Sequence, residues 1–184
     1  ILIDSVSKLA QIHLSKKFNS IIFFNYCPEM NKFLYWCQQL IAESLGKNKI
    51  GLIPIISSAP KDNHSLLQLY LDGPKDKLFY IISSNSSEKL KVNHNLSQNK
   101  LDYLNNKKIS KIVEAQKKSF IKLLHKKKIP FREIHINEIC EETIGELISY
   151  FIIETVTMGN ILGVNPFNQP EVEEAKVLTK KYLS

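Results

Sequence analysis

Arginine is nearly missing from this sequence: Arg132 stands alone among 25 basic residues. Lysine therefore carries the formal charge of +7, partly through Lys107 with Lys108, Lys117 with Lys118, and residues 126–128. No aromatic residues are interleaved with these lysines as base-stacking platforms, so the charge does not describe a nucleic-acid surface. It reads as solvated helix faces. Cysteine is equally sparse. Cys27, Cys37 and Cys140 are odd in number and lack C-x-x-C spacing, which argues against a disulfide framework or thiolate metal site and for a reduced, cytosolic protein. With only six glycines there is no glycine-rich phosphate loop, and no metal-ligand cluster replaces it. No secretory signal pattern opens the chain, which starts at Ile1 rather than methionine; a piece of a longer protein is the expectation. The longest apolar stretch, residues 141–162, contains Glu146 and Glu154. Charges at membrane depth are costly, so this segment is expected to be a helix buried in a protein core, with no membrane partner.

At 184 residues, 43% of them hydrophobic and 23% charged, the chain amounts to one globular domain with a sizeable core. Residues 20–26, 52–58, 78–84 and 131–136 read as strands. The first three are nearly continuous runs rich in isoleucine and phenylalanine, the signature of parallel strands covered on both faces. Helical patterns fall at 3–18, 28–45, 65–71, 110–128, 141–162 and 170–183. This alternation predicts an α/β fold, a three-layer αβα sandwich around a mostly parallel sheet. The polar stretch 85–106 is expected to be a long loop.

Three short segments carry proton-handling side chains next to turn or cap residues. In the first, Gln39 and Glu43 are four apart and share a helix face, and Gly46 is expected to end that helix in a left-handed conformation. Glu43 then sits in the last turn, where the helix dipole opposes its charge by only about 0.3–1 kcal/mol. A general-base role would further require a cleft; otherwise Glu43 is an exposed surface glutamate. In the second segment, Asp62, Asn63 or Ser65 is expected to cap a short helix after an apolar strand. His64 would stand at its N-terminal edge, beside the strand end where open α/β sheets bind ligands. The other histidines lack comparable turn chemistry, and the bland reading of His64 is an ordinary surface loop residue. In the third, Asn168 or Gln169 is expected to cap a helix that begins at Pro170. Lys176 lies two turns from Gln169 on one face, or is simply a solvated lysine.

Together these segments resemble the glucose-6-phosphate isomerase family, specifically its C-terminal part. Gln39 to Lys47 matches a Q-x-x-x-E-S-x-G-K pattern, and Gln169 to Lys176 matches Q-x-x-V-E-x-x-K with Val172 and Glu173 in place. His64 stands where the family has a Q-H-S or Q-H-A histidine, although Asn63 replaces the glutamine. Ala175 replaces a common glycine. The resemblance covers most of the chain and is clearest over residues 30–80 and 160–183. It implies that residues 1–184 form the second of two sugar-isomerase (SIS, flavodoxin-like) domains, the first being absent together with its Gly-Gly-Arg signature and serine/threonine phosphate loop. It also implies Glu43 as the base moving a proton between C1 and C2, His64 and Lys176 as ring-opening groups, and Gln39 and Gln169 as substrate contacts. The implied reaction is interconversion of glucose 6-phosphate and fructose 6-phosphate in glycolysis and gluconeogenesis, in the cytoplasm, without metal or redox cofactor. The implied partner is a second copy of the chain. The alternatives are a non-catalytic sugar-phosphate-binding SIS module, an isomerase of another phosphosugar, or the isomerase half of a transaldolase fusion.

Overall fold

In the computed structural model, which describes residues 2–86, 89–92 and 99–183, four strands form one parallel sheet. They are β1 (Ser20–Asn25), β2 (Ile53–Ser58), β3 (Lys77–Ser84) and β4 (Phe131–Ile136), in the spatial order β2-β1-β3-β4. The two central strands carry the apolar runs. Side-chain alternation along them sends Ile21, Phe23, Leu78, Tyr80 and Ile82 to one face, and Ile22, Phe24, Phe79 and Ile81 to the other. Both faces must therefore be covered. α1 (Leu2–Leu14), α2 (Asn31–Leu45) and α6 (Glu141–Leu162) cover the first, through Val6, Leu34, Cys37, Phe151 and Met158. α3 (Lys61–Ser65) leads from β2 to α4 (Leu67–Asp72), which covers the second together with α5 (Ile109–Lys126), through Tyr70, Phe120 and Leu124. The expected αβα sandwich is the fold observed.

β2 departs from its apolar appearance. It lies at the sheet edge, and Ile53 and Ile55 are 66% and 39% exposed, because an edge strand has a neighbour on one side only. α6 departs more. Expected to be buried all round, it buries Phe151, Glu154, Thr155, Met158, Gly159 and Leu162 and leaves Ile152, Ile153 and Ile161 exposed. It is an outer-layer helix, touching the fold along one side. Glu154 is no anomaly on the inner side. Its carboxylate takes both arms of Arg132, at 2.6 and 2.8 Å, and the guanidinium lies 3.7 Å from the Tyr80 ring centre. A charge-assisted fork pairs the buried carboxylate with a half-buried guanidinium, whose Nε alone is left without a partner among the described residues.

Part of the polar stretch 85–106 lies outside the described residues; what is described includes a 3₁₀ segment, Asn99–Leu104, and a bridge between Lys91 and Lys108. After α6, Gly163 adopts a left-handed conformation (φ 68°) and ends the helix, with Val164 N–H donating to the Gly159 carbonyl. A short connection leads to α7 (Pro170–Leu183), none of whose residues is buried.

Candidate active site

Glu43 stands in the last turn of α2, half-buried. α2 does not end as expected. Gly46 has φ −78°, and the left-handed residues follow it at Asn48 and Lys49. Glycine is needed at 46 for a different reason: a Cβ there would lie 2.6 Å from the Ala42 carbonyl oxygen. The tight exit that results carries the chain through a two-residue turn, bridged from Lys47 to Ile50, into β2.

The exit brings α2 against the connection between α6 and α7. There Gln169 Nε2 donates to Glu43 Oε2 at 2.6 Å, while Gln39 Nε2 donates to Glu43 Oε1 at 2.9 Å. Gln169 occupies the cap position of α7, its carbonyl accepting from Glu173 N–H, but its side chain is spent on Glu43 rather than on the helix. The Glu43 carboxylate is thus gripped on each oxygen by a carboxamide. Of roughly four lone-pair directions on a carboxylate, two remain open. The residue borders a cleft of about 790 Å³ lined by Glu43, Lys47, Pro54, Asn165, Gln169 and Val172. A fixed, half-buried carboxylate with free lone pairs at a cleft is able to accept a proton from a bound molecule.

His64 and Lys176 are not part of this cluster. Lys176 lies farther along α7, paired with Glu173 at 2.6 Å and largely exposed. His64 is exposed in the last turn of α3, not at an N-terminal edge. The reason is that the helix starts earlier than its capping residues suggest: Asp62 lies inside it and reaches back to the end of β2. Its carboxylate accepts from Ser57 Oγ (2.8 Å), Ser58 N–H (2.7 Å) and Ser65 Oγ (3.0 Å). Burial opposes that charge, but these three donors outweigh it and hold the Asp62 pKa below its ordinary value. Asn63 accepts from the Tyr26 hydroxyl at 3.2 Å; burial, the larger effect, pushes that phenol up to about 12. His64 follows the C-terminal end of β2, whereas the Glu43 cleft touches its first residues, Ile53 and Pro54. Six residues of strand, about 20 Å, separate the two within one chain.

Two features carried no assignment in the sequence. Lys47, already inside the Glu43 motif, donates from Nζ to the Asn165 carbonyl. A second, larger crevice opens at the carboxyl ends of β1, β3 and β4, lined by Ser83, Asn85, Lys117, Glu133 and His135 among others. Its polar groups are engaged with one another: Lys117 donates to Ser83 and Glu133, Ser83 meets His135 Nδ1 at 3.1 Å, and His135 Nε2 meets Asn85 at 3.2 Å. The serine run after an apolar strand was its only signal. Among the described residues, no group of three or more histidine, cysteine or acidic side chains is arranged to hold a metal ion. No helix among them is long and apolar enough to cross a membrane.

No family model matches the chain. Curated relatives do. A glucose-6-phosphate isomerase of Methanocaldococcus jannaschii is 36% identical over 159 residues, 84% of this chain and 38% of that protein. One of Campylobacter jejuni is 33% identical over 174 residues, 92% of this chain and 43% of that protein. The chain therefore spans less than half the length of these relatives. Among solved structures, a hypothetical protein of Thermus thermophilus aligns with the whole chain and 45% of its own, with a TM-score of 0.89 and 25% identity. A glucose-6-phosphate isomerase of Chlamydia trachomatis aligns with 90% of this chain and 35% of its own, at a TM-score of 0.73 and 17% identity, a likeness of fold.

Proposed function

The chain is related to the glucose-6-phosphate isomerases over most of its own length, and from that premise we propose that it is the base-bearing part of such an enzyme. The longer protein interconverts glucose 6-phosphate and fructose 6-phosphate through a cis-enediol. Glu43 removes the C2 proton of the open-chain aldose and returns it to C1, while the carbonyl oxygen and the C2 hydroxyl exchange roles. Gln39 and Gln169 hold the Glu43 carboxylate and meet the sugar. His64, contributed by a second copy of the chain, and Lys176 assist opening of the pyranose ring. Residues 1–184 make up the second sugar-isomerase domain, and the phosphate is anchored by residues outside them.

The observation that carries this reading is the double grip on Glu43. Two segments of the sequence, 126 positions apart, each singled out for its motif, meet on the two oxygens of one carboxylate at the edge of a cleft. A surface glutamate of no consequence has no need of either donor. The exposed pairing of Lys176 with Glu173 is compatible with its assigned role, since an exposed pair is worth about 0–1 kcal/mol and gives way readily to a ligand.

The experiment is substitution in the full-length protein. Glu43→Gln is expected to abolish solvent proton exchange at C2 while leaving substrate affinity within about tenfold, because a base acts mainly in the transition state. Retained exchange at C2 would remove Glu43 from the reaction. Preserved binding of sugar phosphate without any turnover in the wild-type protein would favour the non-catalytic module.

A further inference from the structure

Gln169 reaches Glu43 from a connection that is anchored in the core at Val164 but largely exposed over residues 165–168. α7 contributes no buried residue, so the position of Gln169 depends on residues 163–168. Val164 packs into the core with its N–H on the Gly159 carbonyl, and three further contacts fix them. Gly163 ends α6 in the left-handed conformation. The Pro166 ring lies against Gly159, where an added Cβ would meet it at 3.1 Å. The third is Lys47, whose ammonium takes the Asn165 carbonyl from the opposite wall of the cleft, 118 positions away. Asn165 then turns the chain, its side-chain oxygen accepting from Phe167 N–H at 2.9 Å.

We propose that Lys47 is a positioning residue: by holding the Asn165 carbonyl, it keeps Gln169 on the Glu43 carboxylate. The inference rests on the reading of Glu43 as the base and adds a lysine that acts through Gln169, not on the substrate. The local backbone is built for this contact. Left-handed Asn48 and Lys49 form the turn that folds Lys47 back over the end of α2. Gly51 allows the returning strand to pass Gly46, since a Cβ on it would lie 3.0 Å from the Gly46 Cα. Partial burial lowers the Lys47 pKa from its ordinary value. An ammonium–carbonyl hydrogen bond is of the stronger, charge-assisted kind, so its removal is felt along the whole connection.

Two measurements test the proposal. In the full-length protein, Lys47→Met is expected to raise amide hydrogen exchange at least tenfold at Val164 and Phe167, whose N–H groups are hydrogen-bonded in the connection, with exchange in β1 and β3 unchanged. Lys47→Arg, which keeps a charged donor, is expected to stay near wild type. Unchanged exchange in Lys47→Met would overturn the proposal, and this readout is independent of any catalytic assignment. In the full-length protein, Lys47→Met is expected to lower kcat about 10- to 100-fold with KM within about threefold. In a Gln169→Leu background it should have almost no further effect, because coupled residues are non-additive. A raised KM at unchanged kcat, or full additivity with Gln169→Leu, would make Lys47 a direct substrate contact and overturn the positioning role. If Glu43→Gln retained full turnover, the assignment of Glu43 as the base would fail while the exchange result stood unaffected.

Discussion

Asp62 shows how one side chain fixes the geometry around another. It ties α3 to the end of β2 through three donors, and His64 is carried two residues later on the same turn. Asp62→Ala leaves a buried hydroxyl and a backbone N–H without their partner, a loss of about 1–3 kcal/mol. Chemical denaturation at pH 7 measures it. The sign of the pH dependence follows from a folded-state pKa lowered by those donors. The contribution is full above the ordinary carboxylate value of about 4 and is lost as pH falls through the folded value, so the gap between wild type and variant closes in acid. His13 behaves similarly for a different cause. It is buried in α1 with Nδ1 unpartnered, and burial lowers its pKa. A lowered base is neutral in the fold, so its contribution is full above about 6.5 and declines as pH falls through that value. Relative to wild type, His13→Leu should lose less stability between pH 8 and pH 5.5; equal losses would contradict a buried neutral imidazole.

At the scale of elements, the exit of α2 is the sensitive joint. Gly46→Ala places a methyl group 2.6 Å from a backbone oxygen that has no freedom to move away, and a loss of about 1–3 kcal/mol is expected, read as a lower denaturation midpoint. The element pattern was largely legible in the sequence because the central strands are covered on both faces, so their composition and their environment agree. It failed where environment depended on neighbours. Ile53 and Ile55 look like core residues, yet the strand that bears them is at the edge. Ile152 and Ile153 look buried, yet α6 touches the sheet along one side only. Gly46 was legible as a helix stop but not as a steric one, since the relevant atom is a carbonyl oxygen within its own helix. In the site, the pairing of Gln39 with Glu43 follows from helical spacing. The arrival of Gln169 does not, because no local rule relates positions 126 apart. Lys47 was visible only as a motif letter; its partner is a backbone atom, which sequence does not mark.

For the whole molecule, the proposed reaction needs more than these residues. The chain spans less than half of its curated relatives, and binding energy from a phosphate is what positions a phosphosugar for proton transfer. The 184-residue chain alone is expected to show no turnover of fructose 6-phosphate in a coupled assay. Turnover close to that of the full-length protein would place the phosphate site inside it. His64 and Glu43 also flank opposite ends of β2, which supports the proposal that each His64 serves the site of a second copy. Mixing inactive full-length Glu43→Gln and His64→Ala subunits is expected to restore activity, since one site of each mixed dimer then carries neither lesion. No recovery after verified subunit exchange would confine both residues to one subunit.

The length of β2 therefore sets a limit on dilution. If a strand of six residues keeps the imidazole and the carboxylate of one chain too far apart to share a sugar, a lone subunit is folded but chemically incomplete. Specific activity of the full-length protein should then fall as its concentration drops below the dissociation constant of the pair, and return on reconcentration with no refolding step.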